Sequence, residues 1–452
     1  MSRRNLLLIL ASLAIGLVMA SRVEHNPKGR SVARGFQLID ELALDQPPDD
    51  ELVAAAMRGM VGVLRRRGDA HSDYLDPIRA EPLRDEMRQQ FGGVGVMIKI
   101  VETGPGGLLV AEPPEPGGPA HVAGVQDGDR IVEIQGRSTQ GITLAEALDQ
   151  LRGKPGDPVE LLIARLPKSD SAAQAAANLP AAYQELLITI TRQVIRLPAF
   201  KGDRRRAEGA WEFRLAQRPE IAHVRFAIFG NRTVEELRDL LDRLTQAGVK
   251  QVVLDLRDNA GGALDAAIGV ADMLLPAEAP IVSTRGRDGE VLDTYKSSSS
   301  ENFPELDLVV LIDRDTASAA EIVAAALADN GRAILVGERS FGKATVQQLL
   351  PLSSGQGLLK LTTLSYWRPS GANIHRHVDA PESDPWGVWP DPAGRVELTD
   401  EQLASFREWR RRRDLLPIDD DALPEDGTPP EASPLTADAA LARAVELLQK
   451  AE

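Results

Sequence analysis

The sequence predicts a multidomain α/β protein, and three observations carry the prediction. The chain has 452 residues, too many for one ordinary core. Its hydrophobic periodicity changes twice, from helical to strand-like and then to alternating strands and helices. It is 43% hydrophobic, enough to fold throughout most of its length.

Residues 1–22 form the first segment. Ser2-Arg3-Arg4-Asn5 precedes an apolar run, Leu6 to Ala20, that ends in the small residues of Val18-Met19-Ala20. A charged start, an apolar middle and small residues at the end are the pattern of a secretory signal. As a helix the run spans roughly 22 Å, short of the ~30 Å hydrocarbon core, so a cleaved signal and an uncleaved N-terminal membrane anchor both stay open. Either one exports the protein to the periplasm or cell envelope. Residues 35–88 repeat apolar side chains at three and four residues (Leu38, Ile39, Leu42; Leu52, Met57, Met60, Val61, Leu64), a helical lead-in.

Residues 89–198 carry short β-type runs separated by turn residues: Val94 to Ile98, Leu108 to Val110, Arg130 to Ile134 and Val159 to Ile163. With one helix at Leu144 to Leu151, they predict a compact β-rich module. The Ala- and Ser-rich stretch 167–179 reads as a flexible insertion. Residues 199–380 switch to strand-then-helix units. Val224 to Ile228 leads to a helix with Leu237, Leu240, Leu241 and Leu244 on one face, opened by a capping box from Thr233 to Glu236. Val252 to Leu256 and Leu308 to Ile312 each lead into a further helix. Such repetition implies a parallel sheet with its chemistry at the strand-to-helix turns. Residues 381–452 read as a Pro-rich acidic tail with two helices, Thr399 to Arg413 and Ala437 to Lys450, the last of which docks or pairs.

Charge and composition exclude several classes. The net charge of -15 argues against nucleic acid, and the basic run Arg410 to Arg413 lies among acids and reads as a solvated helix face. There is no cysteine, hence no disulfide, thiolate metal site or cysteine nucleophile. Nothing in the sequence implies a metal or cofactor.

Thr316-Ala317-Ser318-Ala319-Ala320-Glu321 follows a strand and opens a helix. A hydroxyl there lies beside unpaired amides that can hold an oxyanion, although a serine in that place also serves as a plain helix cap. The next unit ends in Arg339-Ser340-Phe341-Gly342-Lys343, with Gln347 four residues on, a spacing that puts both on one face. None of the six histidines stands at a comparable turn; His375 and His377 fall in an irregular stretch. A lysine base with an ordinary pKa is neutral in about one molecule in 2,500 at pH 7, a penalty of roughly 4–5 kcal/mol that burial must remove. A neutral amide such as Gln347 can orient the amine without restoring its charge, whereas an acidic neighbour would do the opposite.

Residues 308–350 resemble the C-terminal processing (tail-specific) protease family, whose Ser-Lys-Gln order and spacings of 25 and 4 they match. The resemblance covers about three-quarters of the chain. It implies a protease core of the ClpP/crotonase fold with an inserted PDZ domain. It also implies Ser318 as nucleophile, Lys343 as general base and Gln347 as the residue that orients it. Leu254 to Gly262 is similar to the family's segment ending in a glycine pair, so Gly261 or Gly262 with the Ala319 amide is the expected oxyanion hole. Phe91-Gly92-Gly93-Val94-Gly95-Val96 is similar to the carboxylate-binding loop of PDZ domains, which implies peptide contact at Gly93, Val94 and Gly95. Arg152 is a candidate switch residue, and Asp69 to Tyr74 reads as structural. The expected partners are protein or peptide substrates bound through their C-termini, with a homo-oligomer left open. Two rivals remain: a silent PDZ scaffold that binds without cutting, and a crotonase-like enzyme acting on thioesters.

Overall fold

The computed structural model describes residues 27–166, 183–206, 210–298, 303, 305–352, 355–415 and 434–450. The expected signal segment and the 167–179 insertion lie outside the described residues. The chain divides into two compact units, residues 1–80 with 347–362, and residues 81–346 with 363–452.

In the first unit the helix Asp49–Arg65 opens on Asp49, Asp50 and Glu51 and closes on Arg65, charges that complement its dipole. Its apolar face, through Ala54, Met57 and Val61, packs on Tyr74, Leu352 and Leu359. The short strand Asp73–Leu75 pairs antiparallel with residues 358–360. Tyr74 donates its hydroxyl to the Gln356 carbonyl at 2.8 Å, so the buried phenol keeps a partner. The preceding helix, Pro27–Leu42, buries none of its residues. Among the described residues no helix is long and apolar enough to cross a membrane.

The second unit holds two sheets of six strands each. The first is antiparallel, in the order Ile98–Ile100, Leu108–Val110, Arg130–Ile134, Pro158–Arg165, Gln184–Thr191, with Arg137–Ser138 beside the third. Its alternating inward residues, among them Leu108, Val110, Ile131, Ile134, Val159, Leu161 and Ile163, pack on Ala147 and Leu151 of the helix Leu144–Leu151. That helix starts with a capping box between Thr143 and Glu146. Residues 94–97 are not the strand that their apolar character predicts. Gly95 is left-handed at φ 75°, and Val94 gives its carbonyl to the Ala120 amide instead of a ladder.

The second sheet is the core. Arg218–Phe226, Gln251–Asp255, Asp307–Ile312 and Ala333–Gly337 run parallel in that order, with Phe200–Lys201 and Arg214–Leu215 antiparallel at the first edge. Strand alternation gives it two faces. Val224, Val252, Leu254, Leu308, Val310 and Leu335 pack under the helices Thr233–Gln246, Leu264–Leu274 and Ala319–Asp329. Ile221, Val253, Val309, Leu311 and Val336 face Leu441, Ala444, Val445 and Leu448 of the last helix, Ala439–Lys450. The C-terminal helix thus completes the core, and the tail is not a separate appendage.

Two further expectations need correction. The helix Thr233–Gln246 has no capping box. The Thr233 hydroxyl accepts from the Gly230 amide and donates to the Ile228 carbonyl, while Glu236 accepts from the Ala199 amide. Nor is the basic run a solvated face. In the helix Asp400–Leu415, Arg410 and Arg413 are only 8% and 5% exposed. They close on the fully buried Asp203, where Arg413 Nη2 lies 2.7 Å from Oδ2 and Arg410 Nη1 3.7 Å from Oδ1. Asp203 in turn faces His223, whose Nε2 is 2.9 Å from Asp255 Oδ2. Buried charge is tolerated only when paired, and this helix supplies the pairing.

Candidate active site

The site forms where two adjacent core strands end. After Ile312, Asp313 turns the chain: its Oδ1 accepts from the amides of Asp315 and Thr316, at 3.1 and 2.9 Å. Thr316 donates onward to the Leu256 carbonyl, and the Ala317 amide to the Asn259 carbonyl, so the turn is tied to the end of the neighbouring strand. Burial, with the charge of Asp258, pushes the Asp313 carboxyl up to about 6. Asp258, Asp313 and Asp315 cluster as metal ligands do, but Arg407 Nη2 already bridges Asp258 and Asp315.

Ser318 follows at φ 57°, ψ -118°, a conformation a side-chain-bearing residue adopts only under constraint, at a cost of order 1–3 kcal/mol. The constraint comes from Glu321, one turn into the helix and fully buried. Its Oε2 accepts from the Ser318 amide and from the Lys343 amide, each at 2.8 Å. Its Oε1 accepts from the Gly342 amide at 2.7 Å and from the Ser340 hydroxyl at 2.5 Å. The Ser318 and Lys343 nitrogens are therefore no further apart than these two bonds laid end to end. Burial raises the Glu321 carboxyl above its ordinary value despite the four donors that favour its charge. All four donors are neutral, so these bonds commit the acid to backbone and hydroxyl groups.

Tyr366 fastens the same two residues from the carbonyl side. Its buried hydroxyl lies 2.5 Å from the Lys343 carbonyl oxygen and 3.2 Å from that of Ser318. Burial, with Glu321 nearby, holds the phenol far above its usual pKa, so it stays a donor. Ser318 and Lys343 are both half-buried.

The glycine pair behaves less simply than its sequence implies. Gly261, at φ 98°, lies so close to the Ser318 turn that an added Cβ would come within 2.8 Å of Ala319 N and 2.9 Å of Ser318 Cβ. Its own amide is taken by Asn259 Oδ1 at 2.8 Å. Gly262, at φ 148°, packs against Phe229, where an added Cβ would come within 2.1 Å of the carbonyl oxygen. Ala319 is the first helical residue, whose amide has no intrahelical partner. The arrangement puts a hydroxyl, an amine-bearing loop and helix-terminal amides at one strand-to-helix turn, the parts needed for acyl transfer.

Gln347 belongs to the first unit, in the strand Thr345–Pro351. Lys343 precedes that strand, so the shared-face argument from a spacing of four does not extend to it. In its own unit Gln347 donates Nε2 to Thr362 Oγ1 at 3.2 Å, and Thr362 Oγ1 donates to Asp69 Oδ1 at 2.9 Å. A hydroxyl has one proton, and since Thr362 gives it to Asp69 it must accept from Gln347, which turns the amide nitrogen toward Thr362 and the oxygen away. Asp69 also accepts from His71 and Ser72, so the Asp69 turn is built around this support.

In the β-rich module Gly93 ends the strand Gln90–Gly93 and pairs with Gln193 of Gln193–Arg196. Val94 is buried and Gly95 left-handed, while Ile98–Ile100 forms one edge of the sheet. Arg152 caps the Leu144–Leu151 helix, 3.4 Å from Asp85 Oδ2 and over the Phe91 ring at 4.9 Å. Three residues at the site escaped sequence reasoning: Glu321, Tyr366 and His375, whose Nδ1 accepts from the Ala344 amide at 3.4 Å. Only Glu321 left a signal, since it stands at capping-box spacing from Ser318.

Known proteins share much of this sequence. The model of peptidase family S41 matches residues 220–391, and that of the PDZ domain matches residues 110–165. The carboxy-terminal-processing protease of Bartonella bacilliformis is 36% identical over 332 residues, 73% of this chain and 68% of the relative. The carboxy-terminal processing protease CtpA of Bacillus subtilis is 30% identical over 351 residues, 77% of this chain and 67% of the relative. Among solved structures, the photosystem II D1 C-terminal processing protease is 28% identical, with 82% of this chain and 93% of that chain covered at a TM-score of 0.43. The chain belongs to peptidase family S41, the carboxy-terminal-processing serine proteases that carry a PDZ domain.

Proposed function

We propose that Ser318 is the nucleophile of this protease, Lys343 its general base and Gln347 the residue that orients the lysine. The observation that carries the reading is the shared acceptor Glu321 Oε2, which ties the Ser318 and Lys343 backbones together. Lys343 takes the Ser318 proton as Oγ bonds to the scissile carbonyl carbon, and returns it to the leaving amine. Water then attacks the acyl ester, giving its proton to Lys343, and Ser318 leaves protonated. The amides of Gly262 and Ala319 hold the oxyanion in both halves.

Substrate arrives by its C-terminus. Its terminal carboxylate binds the loop Gly93 to Gly95, and the peptide adds as a strand beside Ile98–Ile100, the open sheet edge. Arg152 links that module to the helix before it, Pro77–Arg88, through Asp85, which suits a residue that reports occupancy. The core is of the ClpP/crotonase type, the module spans about residues 89–198, and residues 1–22 export the protein to the periplasm or cell envelope as a signal or an anchor. Mass spectrometry of candidate substrate proteins incubated with wild type and Ser318→Ala is the test. Wild type alone should shorten C-termini; equal shortening by both proteins contradicts the assignment, and peptide binding without any cleavage favours the silent scaffold.

A further inference from the structure

The segment from Asn373 to His377 has no regular structure, yet it lines the loop that carries Lys343. The Arg376 amide donates to the Gly342 carbonyl at 2.8 Å, and the Ala344 amide donates to His375 Nδ1 at 3.4 Å. Tyr366 completes the set, its own amide donating to the Ala344 carbonyl at 3.0 Å. Every amide and carbonyl of Gly342, Lys343 and Ala344 is therefore held by a distant part of the chain. The backbone of His375 is itself held, its amide donating to Asn373 Oδ1 at 2.8 Å, and the ring stands edge-on to His377 at 5.1 Å.

A ring nitrogen that accepts from an amide carries no proton, so His375 is neutral here with its hydrogen on Nε2. Protonation would place a second N–H against that of Ala344 and cancel the bond. The charged and titratable groups on the elements packed against His375 are Lys343, next to Ala344, and Glu321 and Tyr366, which hold the Lys343 backbone, with Arg376 and His377 on its own segment. Arg376 turns its guanidinium to Glu382 at 3.0 Å and over Trp386.

We propose that His375 is a pH-sensitive positioning residue: neutral, it pins Ala344 and with it the backbone from which Lys343 acts, and protonated, it releases them. The inference rests on the reading of Lys343 as the base. The test is kcat and KM from pH 5 to 9 on a fluorogenic peptide, for full-length wild type, His375→Asn, His375→Ala, Ser318→Ala and Lys343→Ala. The loss of one positioning bond should lower kcat of His375→Ala about tenfold, with KM within about twofold. Wild type should show an acid-side ionisation in the histidine range in addition to that of the lysine. His375→Asn, whose Oδ1 occupies the place of Nδ1 and accepts without titrating, should keep kcat within about threefold at pH 8 and lose that ionisation. A wild-type kcat in His375→Ala, or a His375→Asn profile superimposable on wild type, overturns the proposal. Should His375→Ala not fold, the Asn profile decides alone. Activity in Ser318→Ala or Lys343→Ala would instead overturn the underlying assignment.

Discussion

The amides of Ser318 and Lys343 share one acceptor, Glu321 Oε2, at 2.8 Å each. The strained backbone of Ser318 and the loop that carries Lys343 are thus set by the same side chain, buried at the helix start. Glu321→Gln keeps the size but turns one acceptor into a donor facing two donors. A buried donor left without an acceptor costs about 1–3 kcal/mol, so thermal unfolding should shift down accordingly. In the fraction that folds, kcat should fall at least about tenfold while peptide affinity for the PDZ module is unchanged. A variant with wild-type kcat would remove Glu321 from the account.

Tyr366→Phe removes the hydroxyl between the Ser318 and Lys343 carbonyls and nothing else. The expected cost is about 1–2 kcal/mol in stability by calorimetry. The kinetic effect should appear in kcat and not in KM, because the bond holds the Lys343 loop and not the substrate.

Gly261→Ala puts a methyl within 2.8 Å of Ala317 O and Ala319 N, at φ 98° where an alanine is strained. The protein should lose kcat by more than about a hundredfold, as expected when an oxyanion donor is displaced. Circular dichroism with single-turnover kinetics separates that loss from unfolding.

Asp313 gives a pH dependence with a definite sign. Its folded pKa, about 6, lies above the ordinary carboxylate value, so the folded state binds the proton more tightly than the unfolded. Its contribution is fully present below pH 4 and is lost as pH rises through 6, at most about 3 kcal/mol. Chemical denaturation of wild type and Asp313→Asn between pH 4 and 7 should show this component in wild type alone.

Arg413→Ala leaves Asp203 buried with one partner fewer. Breaking such a pair costs about 3–5 kcal/mol, far more than an exposed arginine would. Arg412→Ala, with its side chain 68% exposed on the same helix, should change stability by less than about 0.5 kcal/mol.

The turns that carry Ser318 and Lys343 were legible because strand-then-helix units announce themselves by period, and each residue follows such a strand. The parallel core and the C-terminal helix docked on it were readable for the same reason. What escaped lies where period says nothing. His375 reaches the site from an irregular segment, and Asp69 supports Gln347 through Thr362 across 293 residues of chain. Glu321 reads in sequence as an ordinary first-turn acid, since nothing local shows that its carboxylate turns back to the loop of the next strand. The arginine run misled because like charges suggest solvent, although Arg410 and Arg413, three apart, fall on one helix face while Arg411 and Arg412 between them stay exposed. Residues 94–97 misled because apolar content was read as a strand where Gly95 requires a turn.

Whether Ser318 is activated by Lys343 is tested most directly by covalent labelling with a fluorophosphonate serine probe, followed by peptide mapping, across pH in wild type, Ser318→Ala, Lys343→Ala and Lys343→Arg. The account predicts a single adduct on Ser318 in wild type, no adduct in Ser318→Ala, and labelling slowed by at least about a hundredfold in both folded lysine variants. Labelling of Lys343→Arg at the wild-type rate, or an adduct on another serine, would contradict it.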